Sequence, residues 1–250
     1  MSTYSDIEWT EQTWNPVTGC TKVSPGCKHC YAEVMARRLK AMNAAGYEDG
    51  FALRLMPERL EQPLRRRKPT VYFVNSMSDL FHEDVPDEYI DRVMEVITKT
   101  PQHTYQILTK RAERIRDYFS SRPVPSNVWL GVSVEDRKYG LPRIPYLRSV
   151  AAKVRFLSVE PLLEDLGEFD LSGIDWVIVG GESGYKARPM KMEWVRNVQA
   201  ECDAAQVPFF FKQWGVWGED GVKRSKKANG RLLDGRLYEE YPRIPISEIS

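Results

Sequence analysis

Asn127-Val-Trp-Leu-Gly-Val-Ser-Val-Glu135 is an apolar run that ends in an alternating Ser-x-Glu, and Lys153-Val-Arg-Phe-Leu-Ser-Val-Glu160 repeats the pattern. A third run, Asp175-Trp-Val-Ile-Val-Gly-Gly-Glu182, closes on a carboxylate at the equivalent point. Short runs rich in β-branched and aromatic residues, apolar on both faces, are the signature of strands in a parallel sheet covered by helices. Working outward, Thr70-Val-Tyr-Phe-Val74 leads into Asn75-Ser-Met-Ser-Asp79, Thr104-Tyr-Gln-Ile-Leu108 into Thr109-Lys-Arg111, and Val207-Pro-Phe-Phe-Phe211 into Lys212-Gln-Trp214. Helical periods fall between them. Pro86 opens one whose apolar stripe is Tyr89, Ile90, Val93, Met94 and Ile97; others pass through Ile115 and Phe119 and through residues 190–205. These units predict an α/β fold, a partial or complete (β/α) TIM-like barrel of six to seven parallel strands. A doubly wound sheet competes, but no G-x-G-x-x-G follows the first strand.

Upstream, residues 7–17 are aromatic and β-prone and supply a first strand; Gly19 then turns the chain into Cys20-Thr-Lys-Val-Ser-Pro-Gly-Cys27-Lys-His-Cys30. Three cysteines in a C-x6-C-x2-C loop can hold three irons of a [4Fe–4S] cluster and leave the fourth iron open to a small molecule. A structural zinc site would need a fourth ligand, His82 or Cys202 from a distance, because His29 is pinned between two cysteines. A disulfide would need an oxidising compartment and would leave unpaired thiols; no signal peptide opens the chain. From Cys30 a helix is expected with Val34, Met35, Leu39 and Met42 as its apolar stripe, ended by Gly46 and Gly50.

With 42% hydrophobic residues the chain can bury one large core, so residues 1–250 read as one domain, with 46–69 an insertion and 215–250 a flap. No apolar run approaches the roughly 18 residues of a membrane span, and the expectation is a cytoplasmic protein with no membrane partner. A net charge of +1 argues against binding nucleic acid by bulk charge, although Arg65-Arg-Arg-Lys68 and Lys223-Arg-Ser-Lys-Lys227 are locally basic. Cys202 shares a helical stripe with Val195, Val198 and Ala205 and reads as a core residue. His103 reads as a loop residue, and His82 as a possible pocket acid or base.

In parallel β/α folds ligands sit at the carboxyl ends of the strands. Period two sends Ser133 and Glu135 to one side, and likewise Ser158 and Glu160, with Glu182 at the third equivalent end. Carboxylates gathered at a pocket mouth need cations, and Lys110, Arg111 and Lys212 stand at neighbouring strand ends. The alternative is that these glutamates cap helices or pair on the rim.

A three-cysteine loop after the first strand of such a barrel resembles the radical S-adenosylmethionine (SAM) superfamily, whose usual motif is C-x3-C-x2-C. The first gap here is longer, and His29 stands where that motif has an aromatic packing near the adenine. The chain is similar in particular to a phage and prophage family of three-cysteine proteins, on Trp14-Asn-Pro-Val-Thr-Gly-Cys20, Cys27-Lys-His-Cys30-Tyr-Ala, Asn75-Ser-Met-Ser-Asp-Leu-Phe81, Leu108-Thr-Lys-Arg111, Gly131-Val-Ser-Val-Glu135, Gly180-Gly-Glu-Ser183 and Lys212-Gln-Trp-Gly215. The resemblance implies a [4Fe–4S] cluster on Cys20, Cys27 and Cys30, with SAM on the open iron. Reductive cleavage of SAM, fed by an electron donor such as flavodoxin or ferredoxin, would give a 5′-deoxyadenosyl radical that abstracts hydrogen from substrate. It implies cofactor contacts from His29, Asn75, Ser78, Asp79, Lys110, Ser133, Glu135 and Ser158, and substrate or catalytic roles for Glu160, Glu182 and Lys212. The implied substrate is a modified thymine base in phage DNA, for example a glycyl adduct isomerised from N-linked to C-linked, flipped out of the duplex to reach the barrel. A zinc-dependent hydrolase and a DNA-binding module with a structural cysteine loop are the alternatives.

Overall fold

Strand alternation sorts the side chains into two environments, and the sheet follows from that sorting. The structure is a computed structural model that describes residues 7–184 and 186–242; the last part of the expected flap, 243–250, lies outside the described residues. In chain order the elements are β1 (Gln12–Trp14), β2 (Val17–Thr18), α1 (Tyr31–Ala41), β3 (Arg54–Leu55), β4 (Val71–Val74), α2 (Asp87–Thr98), β5 (Thr104–Thr109), α3 (Ala112–Phe119), β6 (Val128–Ser133), α4 (Arg143–Arg148), β7 (Val154–Val159), β8 (Trp176–Gly180), α5 (Met192–Ala205), β9 (Phe209–Gln213) and α6 (Lys226–Asn229).

Seven strands form one parallel sheet in the order β1-β4-β5-β6-β7-β8-β9, curled into a half-barrel. The order never reverses, so the sheet has no doubly wound switch point. The architecture is therefore the partial barrel, not the complete one. β2 and β3 pair separately as a small antiparallel ribbon.

On the outer face, Tyr72, Val74, Tyr105, Ile107, Leu157, Val159, Val177 and Val179 pack with Ile90, Val93 and Ile97 of α2, Ile115 of α3, and Val195 and Val198 of α5. The inner face is filled by Trp9, Phe73, Trp129, Phe156, Trp176 and Phe210. Trp9, from the segment before β1, sits edge-on to Phe73 with ring centroids 4.8 Å apart and contacts Phe156 and Trp176. An aromatic floor thus closes the amino-terminal half of the half-barrel. Towards the carboxyl ends of the strands the inner face turns polar, where Ser133 registers against Ser158.

Some expectations differ from the structure. The stripe assigned to α1 is not its buried face: Val34, Met35 and Met42 are exposed, whereas Ala32 and Ala36 are buried against Tyr47 and Met77. Of the expected stripe Leu39 alone packs against this cluster, and the two alanines complete the contact, a choice that apolar periodicity does not report. The β7–β8 connection also lacks a helix. Leu162, Leu166, Leu171 and Ile174 cover that part of the sheet from an irregular segment. His103 is the loop residue expected, between α2 and β5, but it is buried, with Nε2 facing the carbonyls of Pro63 and Arg66. Cys202, by contrast, is the core residue expected, fully buried on α5 beside Val195 and Val198.

Gly131 of β6 lies under the ring of buried Phe156, where a Cβ would fall 2.4 Å from the ring. Gly131→Ala is expected to cost about 1–3 kcal/mol by overpacking. Adding Phe156→Leu should recover part of it, as read from urea denaturation midpoints of the single and double variants.

Candidate functional site

The cysteine loop leaves the β2–β3 ribbon through Gly19, at φ 76°, where a Cβ would fall 2.0 Å from the Ala52 carbonyl oxygen. Only glycine fits there. The Gly19 and Cys20 amides donate to the carbonyls of Met77 (3.1 Å) and Phe51 (3.2 Å), which fixes the start of the loop. A 3-10 turn, Pro25–Cys27, carries the second cysteine, and Cys30 stands at the amino-terminal cap of α1. All three thiols are free, and they line one cavity of about 470 Å³ at the carboxyl ends of the strands. His29 lines it with them. A larger, more open cleft against Leu171, Cys202 and Tyr241 lies at the opposite ends of the strands, away from the three cysteines.

Six of the seven strands of the parallel sheet, β4 to β9, deliver a polar group to the first cavity. Asn75, Ser78 and Asp79 come from the turn after β4, Lys110 follows β5, and Ser133 ends β6. Ser158 and Glu160 come from β7, Glu182 follows β8, and Lys212 lies on β9. The structure therefore brings together every site residue expected from the sequence except one. Glu135 is fully buried behind the loop and does not line the cavity.

Three carboxylates support the loop, Asp79 and Glu182 through an arginine and Glu135 by direct contact. Asp79 accepts from Arg111 at 3.1 Å, and Arg111 also donates to Cys20 Sγ at 3.6 Å and to Thr21 Oγ1 at 2.8 Å. Glu135 pairs with Arg143 at 2.5 Å, while Ser24 of the loop donates to its other oxygen. A Cβ on Gly26 would fall 2.9 Å from that same oxygen, so loop and carboxylate are in contact. Glu182 takes the amide and side chain of Arg188, whose Nη2 reaches the Pro25 carbonyl at 3.0 Å. Arg143 and Arg188 belong to no motif, and nothing in the residues around them marks them as partners of the glutamates.

Glu160 differs: Lys212 Nζ donates to both of its oxygens, at 2.7 and 2.8 Å, and both residues face the cavity. His82 is buried outside the cavity wall. Its Nδ1 accepts from the Asp84 amide, so Nε2 donates to Thr21 Oγ1 at 2.8 Å. Burial, then Arg111, holds His82 below its ordinary value, so it is neutral and props the loop rather than acting as a pocket acid. Lys226, from the second locally basic run, lines the cavity and pairs with Glu8 at 2.8 Å.

The electrostatics hold the unliganded Cys20 as a thiol. Burial, then the Asp79 carboxylate, pushes the Cys20 thiol up to about 11 against the pull of Arg111. Without a metal Cys20 is thus a thiol, and ligation releases its proton. Burial alone would raise the Glu135 carboxyl, but Lys110, Arg143 and Ser24 outweigh it and hold it below the ordinary carboxylate value. Among the described residues no three His, Cys, Asp or Glu side chains converge tightly enough to hold a single metal ion. Three free thiols on one anchored loop, with a cation at Cys20 Sγ, fit a cluster that puts each thiolate on its own iron.

No curated protein matches the chain. Among solved structures, spore photoproduct lyase complexed with dinucleoside spore photoproduct aligns at a TM-score of 0.51 and 15% identity, over 80% of this chain and 63% of that one. A double mutant of the lyase with bound AdoMet and dinucleoside spore photoproduct aligns at 0.50 and 15%, over the same shares. The chain spans less than two thirds of the length of these structures, and at this identity the likeness is one of fold, the partial TIM-like barrel. No helix among the described residues is long and apolar enough to cross a membrane. A family model described as a protein of unknown function, DUF5131, matches residues 4–242, and the chain belongs to that family.

Proposed function

We propose that this chain is a radical SAM enzyme acting on a modified thymine base. The observation that carries the reading is the free cysteine trio opening onto one cavity at the strand ends of this half-barrel, with polar and charged side chains in its wall. Cys20, Cys27 and Cys30 would hold a [4Fe–4S] cluster, and SAM would bind its open iron. When bound, the pair supplies a 5′-deoxyadenosyl radical that takes a hydrogen atom from substrate.

The chain's own residues then have separable tasks. Arg111, Ser24 and Arg188 keep the loop in place, while Arg111 also offsets thiolate charge at Cys20. Ser78, Lys110, Ser133 and Ser158 offer hydroxyls and an ammonium for the polar parts of SAM, with His29 and Asn75 beside them. Glu160 and Lys212 face the substrate, where the carboxylate suits an amine such as that of a glycyl adduct. The aromatic floor excludes water from the deep end of the cavity. The SAM and modified-base ligands named for the fold neighbour support this choice of cofactor and substrate class. The finer reaction we propose is isomerisation of a glycyl–thymine adduct from N-linked to C-linked.

A zinc hydrolase needs donors converging on one ion, which the described residues do not offer. Anaerobically purified, reconstituted protein is expected to carry about four irons and four sulfides per chain and, with SAM and dithionite, to release 5′-deoxyadenosine. Alanine at Cys20, Cys27 or Cys30 should abolish both. Stoichiometric zinc without sulfide would sink the proposal. Glycyl-thymidine DNA in the same mixture should yield a rearranged nucleoside. Tight DNA binding with a steep salt dependence and no response to SAM would favour the binding-module reading instead.

The loop's support makes a second prediction. Glu135→Ala leaves the buried Arg143 unpaired and is expected to cost about 3–5 kcal/mol. Glu135→Ala/Arg143→Met should recover part of that stability by urea denaturation, yet still retain less iron than the parent because Ser24 has lost its acceptor.

A further inference from the structure

Arg111 stands in the turn between β5 and α3, and its guanidinium is fully committed. Nε donates to Glu83 at 2.9 Å, and Nη1 donates to Asp79 at 3.1 Å and to Cys20 Sγ at 3.6 Å. Nη2 donates to Thr21 Oγ1 at 2.8 Å and to the Thr21 carbonyl at 3.4 Å. These contacts use every N–H group that an arginine side chain has. Asp79 is fixed in turn by Thr109 Oγ1 at 2.7 Å, the Phe81 amide at 3.0 Å and the Lys110 amide at 3.2 Å. The guanidinium therefore cannot turn away from the sulfur without breaking its pair with Asp79.

The three sulfurs are unequal. Cys20 has a cationic donor, and Cys27 faces the Ser24 hydroxyl at 3.9 Å. Cys30 Sγ has no hydrogen-bond partner among the described residues. The charge beside Cys20 is also divided, because one guanidinium serves two carboxylates. The Asp79 side chain is 9% exposed and that of Glu83 is 62% exposed. Hydrogen bonding from Arg111 holds the Glu83 carboxyl down at about 2, so this outer partner is charged at neutral pH.

An electron added to an iron–sulfur cluster spreads over its sulfurs. A donor or a positive charge at a ligating sulfur raises the reduction potential, and a carboxylate nearby lowers it. We propose that Arg111 sets the reduction potential of the cluster through Cys20, and that Glu83, on the outer side of the same guanidinium, trims that potential downward. The inference rests on the cluster reading proposed above and divides the loop contacts by task. Ser24 and Arg188 hold the loop, whereas Arg111 holds it and tunes what it carries.

The test is a redox titration, followed by electron paramagnetic resonance, of the full-length, cluster-loaded protein without SAM. Parent, Arg111→Gln, Arg111→Lys and Glu83→Gln are compared, with iron and sulfide counted in each. At one applied potential, Arg111→Gln is expected to lower the ratio of reduced to oxidised cluster about tenfold, a shift of about 59 mV for one electron. Arg111→Lys keeps the charge without the fork and should fall between parent and Arg111→Gln. Glu83→Gln should raise the ratio, by about two- to threefold because water screens an exposed carboxylate. Opposite shifts are the signature, since a residue that only braced the loop would change iron content and leave the potential where it was. An unchanged ratio in cluster-loaded Arg111→Gln would overturn the inference. If Arg111→Gln loads no cluster, Glu83→Gln settles the matter alone, and an unchanged or lowered ratio there overturns it too. The two readings fail separately: a cluster that cleaves SAM at a potential indifferent to both residues rejects only the tuning, and a parent protein that holds no iron–sulfur cluster rejects the radical chemistry with it.

Discussion

A loop with cysteines at three of eleven positions has little apolar surface with which to hold its shape, and paired charge does the holding instead. Asp79, Glu135 and Glu182 each engage an arginine, and the three pairs meet the loop at Cys20 and Thr21, at Ser24 and Gly26, and at Pro25. Buried ion pairs bring little net stability, because desolvation offsets most of their attraction. What they supply is position. A guanidinium with several fixed acceptors leaves its remaining N–H groups aimed in one direction, and for Arg111 and Arg188 that direction is the loop.

Parallel strands make this possible because they all end at one edge of the sheet. Side chains one or two residues past β4, β6, β7 and β8 converge there without any long-range design in the individual strands. The inner face then divides by depth. Aromatic rings fill the lower layer, serines and charged groups the upper, so the cavity has a dry floor and a polar rim. The Glu160–Lys212 and Glu8–Lys226 pairs both line the cavity, and no hydrogen bond ties either pair to the cysteine loop among the described residues.

Much of this was legible in the residues. The strands declared themselves because both faces are apolar, and the helices after β4 and β5 because their stripes are wide. The cysteine spacing and the Ser-x-Glu endings located the cavity. The sequence misled where distance matters. It set Glu135 at the pocket mouth, yet the cysteine loop folds over it, a fact visible only once Gly26 is seen against its carboxylate. It assigned α1 a stripe of large apolar residues, whereas close packing selects Ala32 and Ala36. Arg143, Arg188, Glu8 and Trp9 carried no local signal, since what each of them reaches is set by the curl of the sheet and the path of the loops above it.

The central claim is that three thiolates on this clamped loop leave one coordination position for SAM. Electron paramagnetic resonance of the anaerobic, dithionite-reduced protein, recorded before and after adding SAM, tests it most directly. The account predicts a [4Fe–4S]⁺ signal whose g-values shift when SAM is added, because SAM binds the iron that no cysteine holds. A cluster signal indifferent to SAM, or no cluster signal from protein that holds a stoichiometric diamagnetic metal, would contradict it.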